Sequence, residues 1–265
     1  LMKNILLLVH DDHGQEARLQ AALDITRAVE GHLTCIDVTP YPLIAGDGFG
    51  FAETVVILDE RESEAKNKSV ISDRLSREDV SWSWIDAMDE IANAVLDAAD
   101  LADLIILNRA LDGFPMPDMR DIASRIVARA SAPVLAVPET LERFELERAL
   151  VAWDGRPSAA AALRAAVPLL VFAKEVEFFT AQGSDNHIVP EDAAAYLSRH
   201  GIAANVRKTD IGKFHADFLI SDEAKMFRAD YIVMGAYGRG RLRETFGGIT
   251  KNLLTKSKFP LLMSH

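Results

Sequence analysis

Short apolar runs alternate with longer amphipathic stretches along this chain. Residues 5–9, 33–38, 81–86, 104–107 and 134–137 read as strands. Residues 16–29, 53–77, 89–99 and 121–130 carry the apolar spacing of helices between them. The fourth and fifth runs are apolar at almost every position, as in strands covered on both faces. This strand–helix order predicts an α/β fold, a doubly wound parallel sheet with right-handed crossovers. The segment 39–51, TPYPLIAGDGFGF, breaks the rhythm with its prolines and glycines. It reads as a long loop, either functional or a plain surface excursion.

The pattern is then written a second time. Ala102-DLIILNRA is matched by Ala229-DYIVMGAY, an offset of 127 residues, and at that offset Ala132-PVLAVPE meets Phe259-PLLMSH. Asn4-ILLLVHDD likewise resembles Ala149-LVAWDGRPS, each an apolar strand ending in acidic or turn residues before an Ala/Leu-rich helix. Residues 176–180, 204–208, 231–234 and 261–263 supply further strands, and 158–172, 191–200 and 248–256 further helices. Matched segments in one order point to two homologous domains, residues 1–142 and 146–265, joined by the charged stretch 139–148. Each is expected to hold a five-stranded parallel sheet.

Composition narrows the partners. The formal net charge of -11 argues against nucleic acid and anionic membrane surfaces. The first apolar run is too short to cross a bilayer. The single cysteine, Cys35, excludes an internal disulfide and fits a reducing compartment, so a cytoplasmic location is expected.

In an open α/β sheet, ligands bind beyond the carboxyl ends of the strands. Asp154 and Gly235 fall there, after the first and fourth strands of the second half. A carboxylate at that edge accepts hydrogen bonds from a ribose or an adenine amino group. In GAYGRGRLRETFGGIT, Gly235 to Thr250, glycines let the backbone approach a phosphate, and a helix begins where its free N–H groups can donate. Arg239, Arg241 and Arg243 add positive charge. The competing reading is a glycine turn with solvated arginines.

Other signals are weaker. His10-Asp11-Asp12-His13 invites a metal reading, but solvated turn residues explain it as well. Trp82 and Trp84 alternate in a strand and so share a face, as core or as the wall of an apolar site. No Ser/His/Asp constellation stands out, and no Gly-x4-Gly-Lys-(Ser/Thr) spacing occurs at the glycines.

The second half resembles the universal stress protein family, which carries Gly-x2-Gly-x9-Gly-(Ser/Thr) after its fourth strand and an Asp after its first. The resemblance covers the chain as a tandem pair. It implies two flavodoxin-like domains and an adenine nucleotide, ATP, ADP or AMP, held by Ala152, Asp154, Met234, Gly235, Gly238, Gly247, Gly248 and Thr250. It implies no dedicated catalysis, at most slow incidental ATP hydrolysis. Family members pair through their last strands; here residues 134–137 and 261–263 can do so within one chain, a pseudo-dimer that can dimerise further. The motif is imperfect. Nine residues after Gly238 lead to Gly248, followed by Ile249 rather than a hydroxyl. Taking Gly247 as the third glycine shortens the spacing to eight and puts Gly248 in the hydroxyl's place, with Thr250 as a later one. A lost hydroxyl removes about 1 kcal/mol of hydrogen bonding.

The first half departs further. Asn108, Arg109, Ala110 and Leu111 stand opposite Gly235, Ala236, Tyr237 and Gly238, Arg120 and Asp121 opposite Gly247 and Gly248, and His10 opposite Asp154. That half is expected to have lost the nucleotide site. Its loops, 39–51 and the Pro/Met-rich 112–121, then suggest an alternative function: a stress scaffold that binds a protein partner or an apolar ligand.

Overall fold

The computed structural model describes residues 1–39, 65–108, 119–182, 188–210, 212–236 and 248–265. Strands β1 (Asn4–Val9), β2 (His32–Thr39), β3 (Ser81–Met88), β4 (Leu104–Asn108) and β5 (Val134–Val137) belong to the first half. Strands β6 (Arg148–Ala152), β7 (Glu175–Gln182), β8 (Ala204–Asp210), β9 (Tyr231–Gly235) and β10 (Leu261–Ser264) belong to the second. The helices are α1 (Gln15–Ala28), α2 (described over 65–75), α3 (Ile91–Ala98), α4 (Met119–Arg129), α5 (Pro157–Leu170), α6 (Pro190–Ser198), α7 (Ala216–Phe227) and α8 (Gly248–Lys256). The sequence-expected loop 39–51 and the start of the helix expected over 53–77 lie outside the described residues, apart from Thr39 at the end of β2.

All ten strands form one sheet in the order β3-β2-β1-β4-β5-β10-β9-β6-β7-β8. Neighbours within each half are parallel, the doubly wound α/β arrangement expected from the sequence. The halves meet where β5 and β10 pair antiparallel, Leu261 on Ala136, Leu262 on Leu135 and Met263 on Val134. Leu135 and Leu262 are equivalent under the 127-residue offset, so a local twofold axis passes between them.

Equivalent residues also make equivalent bonds. Asp103 N donates to Asn4 O at 2.8 Å, and Asp230 N donates to Arg148 O at 2.8 Å. The Asp103 carboxylate accepts from Asn4 N at 2.8 Å and the Asp230 carboxylate from Arg148 N at 2.7 Å. Ile105 N and Ile232 N each donate at 3.0 Å to the carbonyl of a proline, Pro133 and Pro260, that opens the last strand of its half. The internal repeat is therefore one of bonding as well as of pattern.

Both sheet faces are covered. Ile5, Leu7 and Val9 of β1 point to the layer of α1, α2, α5 and α6. Leu6 and Leu8 point to the layer of α3, α4, α7 and α8. Covering both faces is what makes the central strands read as unbroken apolar runs. The linker is tied to both halves: Phe144 N donates to the Asp24 carboxylate at 2.9 Å, and its ring lies 5.4 Å from that of Tyr231.

Trp82 and Trp84 share one face of the edge strand β3, half-buried against the α1–α2 layer. The Trp84 indole donates to Asp86 at 2.8 Å, and the Lys68 ammonium stands 5.4 Å from its ring. Helix α7 is an addition to the sequence reading. Phe218 and Met226 lie on its exposed side and Glu223 on its buried side, so its apolar spacing is scrambled.

Candidate functional site at the ends of β6 and β9

Strand β6 lies between β9 and β7, and the connections leaving β6 and β9 run to opposite faces of the sheet. This is the switch point at which an α/β sheet opens a crevice beyond its strand ends. Ala152 of β6 pairs with Met234 of β9, which brings Asp154 and Gly235 to the same edge. Helix α8 links β9 to β10 and runs back along the sheet, so its first residue, Gly248, also falls on the carboxyl side.

Asp154 is held firmly and leaves part of its carboxylate open. Beneath it, Trp153 is buried, its N–H donating to Phe179 O at 2.9 Å and its indole N–H to Ile188 O at 3.0 Å. The Trp153 ring meets Phe178 edge-on at 5.6 Å. Gly155 adopts φ +73°, a left-handed conformation that suits glycine, and its carbonyl accepts from Ile188 N at 3.2 Å. One oxygen of Asp154 accepts from Arg156 N at 3.0 Å, a turn closed by a side chain, and the other lies 3.6 Å from Arg156 Nε. The Asp154 side chain is 46% exposed.

Gly235 has a packing reason of its own. A Cβ there would stand 2.5 Å from Ala159 N and 2.6 Å from Ser158 C, at the start of α5. That helix begins with Pro157, whose fixed φ suits the first turn. The strand end and the helix start therefore touch backbone to backbone. Gly248, by contrast, is exposed with open space around it, and Ile249 beside it is 44% exposed. Thr250 and Met234 are buried. Of the expected site residues, Ala152, Asp154, Met234 and Gly235 gather at the β6–β9 edge, and Gly248 and Thr250 sit in the first turn of α8. Gly238, Gly247, Arg239, Arg241 and Arg243 lie outside the described residues.

The His10–His13 cluster has a different use. Asp12 accepts from Gly14 N at 2.7 Å and forms a two-pronged pair with Arg18, at 2.8 and 2.7 Å. No group of three metal-ligating side chains occurs among the described residues. Arg18 itself, in the middle of α1, is only 1% exposed. Sequence reasoning missed it because an arginine in an amphipathic helix reads as surface. Burial pushes the Cys35 thiol up to about 12, so it stays protonated and is no nucleophile near neutral pH. No described helix is long and apolar enough to cross a membrane.

No family model and no curated protein matches the chain. Solved structures do. A universal stress protein from Archaeoglobus fulgidus DSM 4304 superposes with TM-score 0.75 at 14% identity, over 99% of this chain and 96% of that one. A functionally unknown protein from Pseudomonas aeruginosa PAO1 follows with TM-score 0.61 at 17% identity, over 99% and 92%. The cytoplasmic domain of a prokaryotic cation chloride cotransporter gives TM-score 0.50 at 12% identity, over 99% and 95%. The likeness to the first spans both halves and the junction between them. The chain thus has the flavodoxin-like fold, repeated in tandem, of the universal stress protein structures.

Proposed function

We propose that the chain is a universal-stress-type protein that binds one adenine nucleotide, ATP, ADP or AMP, in its second half and has no dedicated catalytic step. The carrying observation is Asp154. Its partly open carboxylate stands on a rigid base at the switch point, beside the glycine end of β9. A carboxylate there accepts from ribose hydroxyls or the adenine amino group, and the free N–H groups of the first turn of α8 take the phosphates. Titration calorimetry of the full chain with millimolar ATP tests this. Binding near one nucleotide per chain is expected, weakened about tenfold or more in Asp154→Ala, which loses a charge-assisted bond. Absence of heat with ATP, ADP and AMP sinks the idea.

One observation favours a second reading. Gly235 is required by α5 whether or not a ligand binds, and Arg156 already occupies part of Asp154. The chain would then be a stress scaffold that uses its divergent first half for a protein partner or an apolar ligand. A melting temperature unmoved by any adenine nucleotide, with a ligand retained in native mass spectra, separates the two readings.

A further inference from the structure

The two halves differ most sharply at the ends of their first strands. The pairings Ile5–Leu104 and Ala149–Tyr231 are equivalent, because Leu104 and Tyr231 are related by the 127-residue offset. Ile5 therefore corresponds to Ala149, Leu8 to Ala152 and His10 to Asp154 along the strand. The helices that follow, each of fourteen residues, start at Gln15 and Pro157, and Asp12 and Asp154 each accept from the N–H two residues on, so Arg18 stands opposite Ala162 by the strand count and Ala160 by the helix count, an alanine either way. In the second half the position of Arg18 is thus an alanine, and the carboxylate at the strand end looks partly outward. In the first half a guanidinium comes up from α1. Its Nε donates to Leu8 O at 3.3 Å, one terminal nitrogen to His10 O at 3.2 Å, and both terminal nitrogens to the Asp12 carboxylate at 2.8 and 2.7 Å. Gly14 makes room, since a Cβ there would stand 3.2 Å from Arg18 Nη1 and 3.1 Å from Asp12 Oδ1.

The donors and acceptors that a ligand would use at this strand end are consumed from within. A fork of five N–H groups matches a carboxylate and adjacent carbonyls in one plane, and a lysine in its place reaches only one acceptor at a time. We infer that Arg18 is a specificity-determining residue: it fills the end of β1 that the second half leaves to its ligand, and so confines nucleotide binding to one crevice per chain. This rests on the reading that the second half binds nucleotide, and it adds that the first half needs none to hold its shape.

Hydrogen exchange of the full chain, with and without Mg-ATP, tests both statements separately. In the wild type, ATP should slow exchange over residues 150–160 and leave 8–18 unchanged. Arg18→Ala should raise exchange over 8–18 about tenfold or more while ATP still protects 150–160. Added methylguanidinium should restore part of that protection. If Arg18→Ala does not fold, Arg18→Lys serves, with a smaller rise in the same segment. A pair of changes in the other half, Arg156→Asp with Ala162→Arg, transplants the internal pair. It should abolish ATP protection while the first half exchanges as before. Exchange over 8–18 unaltered in Arg18→Ala, or ATP protection of 8–18 in the wild type, overturns the inference. No ATP protection of 150–160 in the wild type overturns the nucleotide reading instead, and the first-half measurements then still show whether Arg18 fills its own site.

Discussion

Replacing Gly235 by alanine is a sharp test of how the site is built. The new Cβ would lie 2.5 Å from Ala159 N and 2.6 Å from Ser158 C, both backbone atoms at the start of α5. Ordinary contact needs about 3.4 Å or more, so helix and strand end must part by nearly 1 Å. Overpacking of this kind typically costs about 1–3 kcal/mol. A loss near 2 kcal/mol lowers Tm by about 4–8 °C in a folding unit of 150–250 residues. Denaturant titration followed by circular dichroism gives the loss directly, and calorimetry on the same samples shows whether affinity falls with it. Nucleotide binding should weaken as well, because α5 carries the turn that holds Asp154. A variant within 0.5 kcal/mol of wild type would refute the close-approach argument and return Gly235 to a purely ligand-facing role.

Further predictions follow from other parts of the molecule. Glu177 on β7 is raised above the usual carboxylate range, first by burial and then by the neighbouring Glu223 on α7, against the opposing pull of Arg207 and Arg148. A raised folded-state value stabilises below the unfolded pKa, and that contribution is lost as pH rises through the folded one. Glu177→Gln should therefore match wild type in stability near pH 4 and exceed it near pH 7, read from urea midpoints across that range. Phe144→Ala removes a buried ring from the linker and should cost about 3–5 kcal/mol, with the melting transition of the chain broadening or splitting as the halves loosen. Asp12→Ala leaves the buried guanidinium of Arg18 unpaired and should cost about 3–5 kcal/mol by denaturant titration, far more than Asp154→Ala, whose partner Arg156 reaches water more easily.

The sequence displayed the repeat and the central strands because burial on both faces leaves little choice of residue. Leu104–Asn108 and Tyr231–Gly235 admit few polar side chains. Edge strand β8, ANVRKTD, was legible only by its place in the repeat, since exposure lets Arg207 and Lys208 in. Helix α7 escaped because Phe218 and Met226 face outward while the acid Glu223 turns inward to Arg207, 2.8 Å away. At the site, position was legible and cause was not. A glycine that admits a phosphate and a glycine that admits a helix look alike in a sequence, and only the Cβ distance at Gly235 separates them. Arg18 was hidden for the converse reason, since no pattern distinguishes a surface arginine from one whose every bond is internal.

The antiparallel seam between β5 and β10 has a consequence for divergence. A twofold pair made of identical chains receives every substitution twice, so neither copy can lose its crevice alone. Here the axis between Leu135 and Leu262 relates two stretches of one chain, and a change such as alanine to arginine at the position of Arg18 strikes one side only. Because the strands run in opposite senses across the seam, the carboxyl ends of the two halves also open on opposite edges of the sheet. One edge can therefore be reshaped for a new surface while the other keeps its form.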